Sequence, residues 1–249
     1  MRRIGLPEIW DAREADRGFM ASLATFSFVA LGLELVVDGT VLTYTGAAPG
    51  LYPLGWQCLE WIGLGAAWLV TARALVSWSR RRGVDPLPSE FSSAGRDGAL
   101  DHRAWRAVLL CFLSAVVLAI VLPALIGGPW GFVPVGRYLQ LYDAYGAAGW
   151  LAMLAWAVYL VGRCAVIAGF LAYAHRAVRG VATFRGAHRI PWGGLVTGAV
   201  MGAVAFLSRG QAVALTTVMV CLLLGLIHVR CGESLRITAV FTVLVLAVV

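Results

Sequence analysis

Five ionisable residues fall inside otherwise apolar stretches of this sequence: Glu34, Glu60, Arg73, Arg163 and His228. A charged group in such a place is expensive and must find a partner or water, so each is a functional candidate by default. Glu34 and Asp38 are spaced i,i+4 and share one helix face. Arg163 is the deepest cation in its run, and pairing with Glu34 across a bundle would neutralise both. Arg73 can snorkel to the headgroups from the inner end of its helix. Glu60, beside Trp56 and Trp61, reads as an interfacial residue. His228 follows Gly225 near the inner end of its run, and His175, His188 and His102 are expected on the same side. Histidines near one surface can ligate a metal, but no H-x-x-x-H or H-E-x-x-H spacing supports it. The expected polar site is therefore Glu34, Asp38, Arg163 and His228, with no metal, no cofactor and no catalytic residue assigned.

Several chemistries are excluded outright. The 20 basic residues are all Arg, so a retinal or pyridoxal Schiff base and a Walker-type lysine are impossible. No Ser sits in a G-x-S-x-G elbow, and no glycine-rich phosphate loop precedes a helix. The cysteines Cys58, Cys111, Cys164, Cys221 and Cys231 form no C-x-x-C pair and read as small apolar packing residues.

The elements that must position these residues are membrane spans. Of 249 residues 60% are apolar and 13% charged, against roughly 45–50% and about 25% in soluble domains. Apolar runs cover 19–44, 55–78, 105–126 and 147–173. After a break at Ile190-Pro191 come 193–207, 212–229 and the shorter 235–249. At about 20 residues per span the expected fold is all-α, a polytopic transmembrane bundle of about seven spans. Residues 1–18 form a tail, with an interfacial helix or a solvated segment as alternatives. Residues 19–146 carry the first helices and 147–249 a second group. The Pro-, Ser- and Gly-bearing stretch within 79–104 reads as a mobile cytoplasmic loop. The first apolar run is too long for a signal-peptide core, so no cleaved leader is expected.

Arginine placement sets the expected orientation. The tail holds Arg2, Arg3, Arg13 and Arg17; the second loop holds Arg80, Arg81, Arg82, Arg96, Arg103 and Arg106. The fourth adds Arg176, Arg179, Arg185 and Arg189, and the sixth Arg230 and Arg236. The odd-numbered loops hold only Arg137 and Arg209. Basic residues in short loops stay cytoplasmic, which predicts a multi-pass protein of the cell (inner) membrane with its N-terminus inside and C-terminus outside. The net charge of +7 is these arginine-rich loops, so no nucleic acid partner is implied.

Three segments in the second half carry a family likeness. One runs from Arg163 to Tyr173 (RCAVIAGFLAY), one from Pro191 through Met201 to Gly210, and one from Leu224 to Leu235 (LGLIHVRCGESL). Their order and glycine punctuation resemble the CPBP family (CAAX proteases and bacteriocin-processing enzymes, also called Abi), whose active members are helical intramembrane proteases. In that alignment Arg163 and Cys164 stand where the family's paired glutamates would be, and Ala168 where its motif arginine would be. Met201 and Ala205 replace the Phe and His of F-x-x-x-H; Thr242 and Leu246 replace the final His and Asn. A glutamate base with histidine partners can activate water; Ala, Cys and Thr at these places cannot. The resemblance implies a pseudoprotease that keeps an Abi-like core across 147–249 and has lost hydrolysis. Its expected function is non-catalytic binding of a peptide, protein or lipid in or beside the bilayer, as immunity to a secreted peptide or as a scaffold. A small-solute transporter lined by Glu34, Asp38 and Arg163, and a lipid or isoprenoid enzyme using Glu34, Arg163 or His228, are the alternatives.

Overall fold

The computed structural model describes residues 6–46, 52–83, 102–125, 133–181 and 187–248, and every regular element among them is helical. The helices are α1 (Leu6–Leu31), α2 (Leu33–Thr45), α3 (Leu54–Arg81), α4 (His102–Leu125), α5 (Val133–Tyr145), α6 (Gly149–Arg179), α7 (Trp192–Arg209), α8 (Gln211–Arg230) and α9 (Leu235–Leu246). Among the described residues, six segments are long and apolar enough to cross a membrane: Arg17–Tyr44, Leu54–Arg81, Trp105–Leu122, Pro134–Arg179, Trp192–Arg209 and Gln211–Arg230. Helix α9 is a seventh, shorter apolar helix. The protein is a helical membrane bundle. Its outer surface carries Val29, Leu35, Val36, Leu59, Val70, Leu110 and Leu154 exposed, an apolar coat that water would not tolerate over so large an area but lipid tails do.

Helix α6 organises the bundle. It packs against α1, α3, α5, α7 and α9, while α8 joins α7, α4 and α9. Residues 166–175 of α6 are buried all round, as an apolar helix is when neighbours cover every face. The N-terminal helices α1 and α3 therefore share a core with the second half through α6.

Two glycine crossings set the distances. Gly65 of α3 and Gly162 of α6 lie so close that a Cβ on Gly65 would stand 2.7 Å from the Val158 carbonyl oxygen, and one on Gly162 would strike the Gly65 carbonyl. Gly194 of α7 and Gly225 of α8 make the equivalent approach, with an added Cβ on Gly225 2.6 Å from the Gly194 Cα. Without a hydrophobic drive between helices in lipid, such close backbone packing is what holds them together.

Four features depart from the linear reading. The first apolar run is two helices, α1 and α2, interrupted at Gly32, whose N–H bonds to the Val29 carbonyl at 3.0 Å. Residues 6–18, expected as a tail that is either an interfacial helix or a solvated segment, are helical and continuous with the rest of α1. The loop expected over 79–104 is shorter at both edges, because Ser79–Arg81 finish α3 and His102–Ala104 open α4; residues 84–101 lie outside the described residues. Finally, the third connection contains α5, a helix that its Arg, Asp and Tyr content disguises as loop. The segment Pro134–Arg179 has 46 residues, about 69 Å if straight, far more than the roughly 30 Å a bilayer core needs. A turn with Gly146 at φ +59° breaks it, and α5 folds back so that Gly149 abuts the Leu141 backbone.

Candidate functional site

Arg163 and Glu34 meet. The guanidinium Nη2 lies 3.7 Å from Glu34 Oε2, and Nη1 donates to the Tyr159 hydroxyl at 2.9 Å. That hydroxyl donates in turn to Glu34 Oε1 at 2.6 Å. Tyr159 and Arg163 are i,i+4 on α6, so both approach α2 from one face. The ion pair is partly accessible, with side chains 28% and 21% exposed. Local packing fixes the geometry. The Trp68 indole donates to the Ala30 carbonyl at 2.7 Å, tying α3 to α1 immediately before the Gly32 interruption. The Trp68 and Trp61 rings stand 5.2 and 6.4 Å from the Tyr159 ring.

One turn beyond Glu34, Asp38 brings its carboxyl within hydrogen-bonding reach of Glu60 on α3. The Gln57 amide donates to Glu60 Oε2 at 3.3 Å. Glu60 thus belongs to a carboxylate group rather than to an aromatic interface alone. Tyr52 lies just before α3. Its ring is buried and its hydroxyl has no hydrogen-bond partner, while its carbonyl accepts from the Tyr145 hydroxyl at 2.7 Å. Burial, then the nearby Glu60 and Asp38 carboxyls, raise the Tyr52 phenol above its ordinary pKa and keep it neutral. The cluster draws three carboxyls from α2 and α3 against the single guanidinium of Arg163. Arg137 of α5 lies over the Trp61 ring, 5.9 Å from its centroid.

His228 does not join this group. It belongs to a second polar cluster on the C-terminal half of α6, about 18 Å along that helix from Arg163 at 1.5 Å per residue. His175 and His228 are fully buried and their rings meet edge to face at 5.4 Å. His228 Nδ1 lies 2.7 Å from Thr238 Oγ1. That hydroxyl donates to the Ser234 carbonyl at 2.8 Å, so His228 Nδ1 carries the proton. His175 Nδ1 faces the Gly193 N–H at 3.5 Å, which requires a lone pair there and places the proton on Nε2. His175 Nε2 is 3.6 Å from Glu233 Oε1. Glu233 adopts φ +61° in the turn between α8 and α9 and pairs with Arg179. Among the described residues no group of three or more His, Cys, Asp or Glu is arranged to hold a metal ion. For His102 and His188 the structure describes the backbone only.

The positions aligned with protease motifs carry packing and backbone bonds. The Cys164 thiol points to the Thr242 carbonyl at 3.8 Å, and the Thr242 hydroxyl donates to the Thr238 carbonyl at 2.7 Å. Ala168 is buried with Ala172 and Leu235. Met201 packs on the Trp61 and Trp68 core, and Leu246 reaches that core and the α4–α8 one. Ala205 is half-buried. All five cysteines are free thiols.

Sequence reasoning found Glu34, Asp38 and Arg163 but missed Tyr159, Gln57 and Tyr52. Only Tyr159 left a usable signal, a phenol one helical turn from the buried arginine. No family model, curated protein or solved structure matches the chain.

Proposed function

We propose that this protein is a multi-pass component of the cell (inner) membrane, N-terminus inside, with a CPBP-like core that binds a partner and performs no peptide hydrolysis. The observation that carries this reading is the contact between Cys164 and Thr242. There the first and last motif segments come together, and a thiol and a hydroxyl spent on backbone carbonyls stand where a general base would be needed. The accessible polar chemistry lies instead around Glu34, Asp38, Glu60 and Arg163, a constellation suited to holding a charged group in place. The partner is a peptide, protein or lipid, with immunity to a secreted peptide or scaffolding as the role. Sixteen of the 20 arginines fall in the tail and even-numbered loops, which supports the orientation.

Affinity isolation of the full chain from native membranes tests the reading. A co-purifying peptide, protein or lipid, recovered uncleaved and lost on Glu34→Gln, is the expected result. Turnover of that molecule would replace binding with catalysis. A small-solute transporter remains the second reading, favoured by one observation: ionisable side chains occupy both the outer and the inner half of α6, at Arg163 and at His175.

A further inference from the structure

Arg82, the residue directly after α3, is held in place with its charge unmatched. Its guanidinium lies over the Phe19 ring, 5.2 Å from the centroid, so an aromatic face of α1 fixes a cation at the end of α3. Phe19 in turn meets the Trp78 indole edge to face at 5.4 Å, and the Phe26 ring lies 5.7 Å from the same indole. Phe19 and Phe26 are i,i+7 on α1, and Arg82 stands one turn beyond Trp78, so the four side chains form one seam between two helices. Among the described residues no acidic side chain pairs with Arg82. A guanidinium stacked by its face keeps its N–H edge free to donate.

Toward the membrane interior the same seam is apolar and open. Phe26 is 50% exposed and Trp78 39%. Ser22, between the two phenylalanines on that face of α1, spends its hydroxyl on the Gly18 carbonyl at 2.8 Å and offers no donor there. The depth agrees with the charge. The apolar segment Leu54–Arg81 ends directly before Arg82, and Arg17–Tyr44 begins just before Phe19, which sets Arg82 where the apolar layer meets the headgroups. From Phe19 to Phe26 the aromatic surface runs about 10 Å along α1 into that layer.

We propose that Arg82, Phe19, Trp78 and Phe26 form a binding site for one anionic phospholipid, with its phosphate at Arg82 and an acyl chain along Trp78 and Phe26. The planar N–H edge of a guanidinium matches two oxygens of a phosphate, and a headgroup of net negative charge supplies the counter-ion that Arg82 lacks. A zwitterionic headgroup brings its own cation to the same place and gains less. A free phosphate meets Arg82 but leaves the aromatic surface uncovered, so the ligand is the lipid. Arg81 carries the same charge, yet among the described residues no ring lies beneath it. That difference separates a built site from the general attraction of arginines to an anionic membrane surface. The site lies on the α1 side of the Gly32 interruption and is independent of the partner binding proposed above.

The test uses the full-length protein in micelles of a neutral detergent, titrated with phosphatidylglycerol brominated in its acyl chains, which quench nearby tryptophans. Brominated phosphatidylcholine is the control. Saturable quenching by phosphatidylglycerol is expected, with part of its amplitude lost in Trp78→Phe. Arg82→Gln should raise the half-saturation concentration about tenfold or more, as loss of hydrogen bonds to a charged group does. Arg81→Gln should stay within about twofold of the parent, below the general worth of one basic residue at an anionic surface. Phe19→Leu keeps the charge and removes the ring that positions it, and should weaken binding by roughly two- to fivefold. Arg82 is exposed, so the thermal midpoint without lipid should not change in Arg82→Gln. Equal half-saturation by the two lipids, equal weakening by Arg82→Gln and Arg81→Gln, or an amplitude unaffected by Trp78→Phe would overturn the proposal. Displacement of the lipid by soluble glycerol phosphate would also overturn it, because the acyl contacts would then add nothing.

Discussion

Arg163 reaches Glu34 by two routes: directly, with Nη2 3.7 Å from Oε2, and through the Tyr159 hydroxyl, which accepts from the arginine at 2.9 Å and donates to Oε1 at 2.6 Å. The arrangement satisfies a guanidinium that would cost at least about 2.5–3.5 kcal/mol unpaired at mid-membrane. It also joins α2, a helix with little other packing against the bundle, to the central α6.

This pairing gives a double-mutant cycle a clear expectation. Arg163→Leu or Glu34→Leu alone should destabilise by roughly 2–4 kcal/mol, toward the low side for breaking a buried pair because both side chains keep some exposure. Arg163→Leu with Glu34→Leu should recover most of that loss. Unfolding in mixed micelles measures it, and additive losses would show that the pair contributes no coupling. Tyr159→Phe should cost about 1–2 kcal/mol, the loss of its hydrogen bonds to the partly accessible Arg163 and Glu34.

The crossing of α3 and α6 should be intolerant of a single methyl group. In Gly162→Ala the added carbon meets the Gly65 backbone, so the helices must separate, at a cost of about 1–3 kcal/mol. Gly63→Ala, on the same helix as Gly65, has nothing within 4 Å of the new carbon and should be neutral or slightly stabilising. Thermal midpoints of the two variants decide this; equal values would contradict the packing.

How much of this could be read from sequence alone follows from what each residue depends on. The apolar run at 147–173 corresponds to α6 at Gly149–Arg179, and the break at Ile190-Pro191 to the start of α7 at Trp192, because hydropathy and proline are local signals. Glu34 and Arg163 could be matched from their depths along opposed helices. For Tyr159 the one signal was its i,i+4 spacing from Arg163, which puts the phenol on the arginine's helix face. The Asp38–Glu60 approach depends on how α2 leans on α3 after Gly32. The His175–His228 contact depends on Gly193 letting α7 press against Leu171 and His175. Both are tertiary facts with no linear pattern, and α5 escaped because an amphipathic helix of 13 residues resembles a polar connection.

Cys231 should be inert in the folded protein. Burial, with a smaller contribution from Cys111, pushes its thiol up to about 11, so at neutral pH the reactive thiolate is far scarcer than for a free cysteine near 8.5. Maleimide should leave Cys231 unmodified at pH 7.5 until the protein is denatured, as read by mass spectrometry. Rapid modification of the native protein would contradict the burial.

The proposed orientation places residues 84–101 in the cytoplasm. A cysteine introduced as Ser92→Cys should be shielded from an impermeant thiol reagent in intact cells and react after permeabilisation. Reaction from outside would invert the topology.

Binding without hydrolysis is tested most directly by photo-crosslinking in native membranes. A benzophenone amino acid introduced at Leu42, exposed on α2 one turn beyond Asp38, should capture an intact partner, and capture should fall when Asp38→Asn is added. Capture of a cleaved fragment whose production stops with Glu34→Gln or His228→Gln would contradict the binding function and establish catalysis in its place.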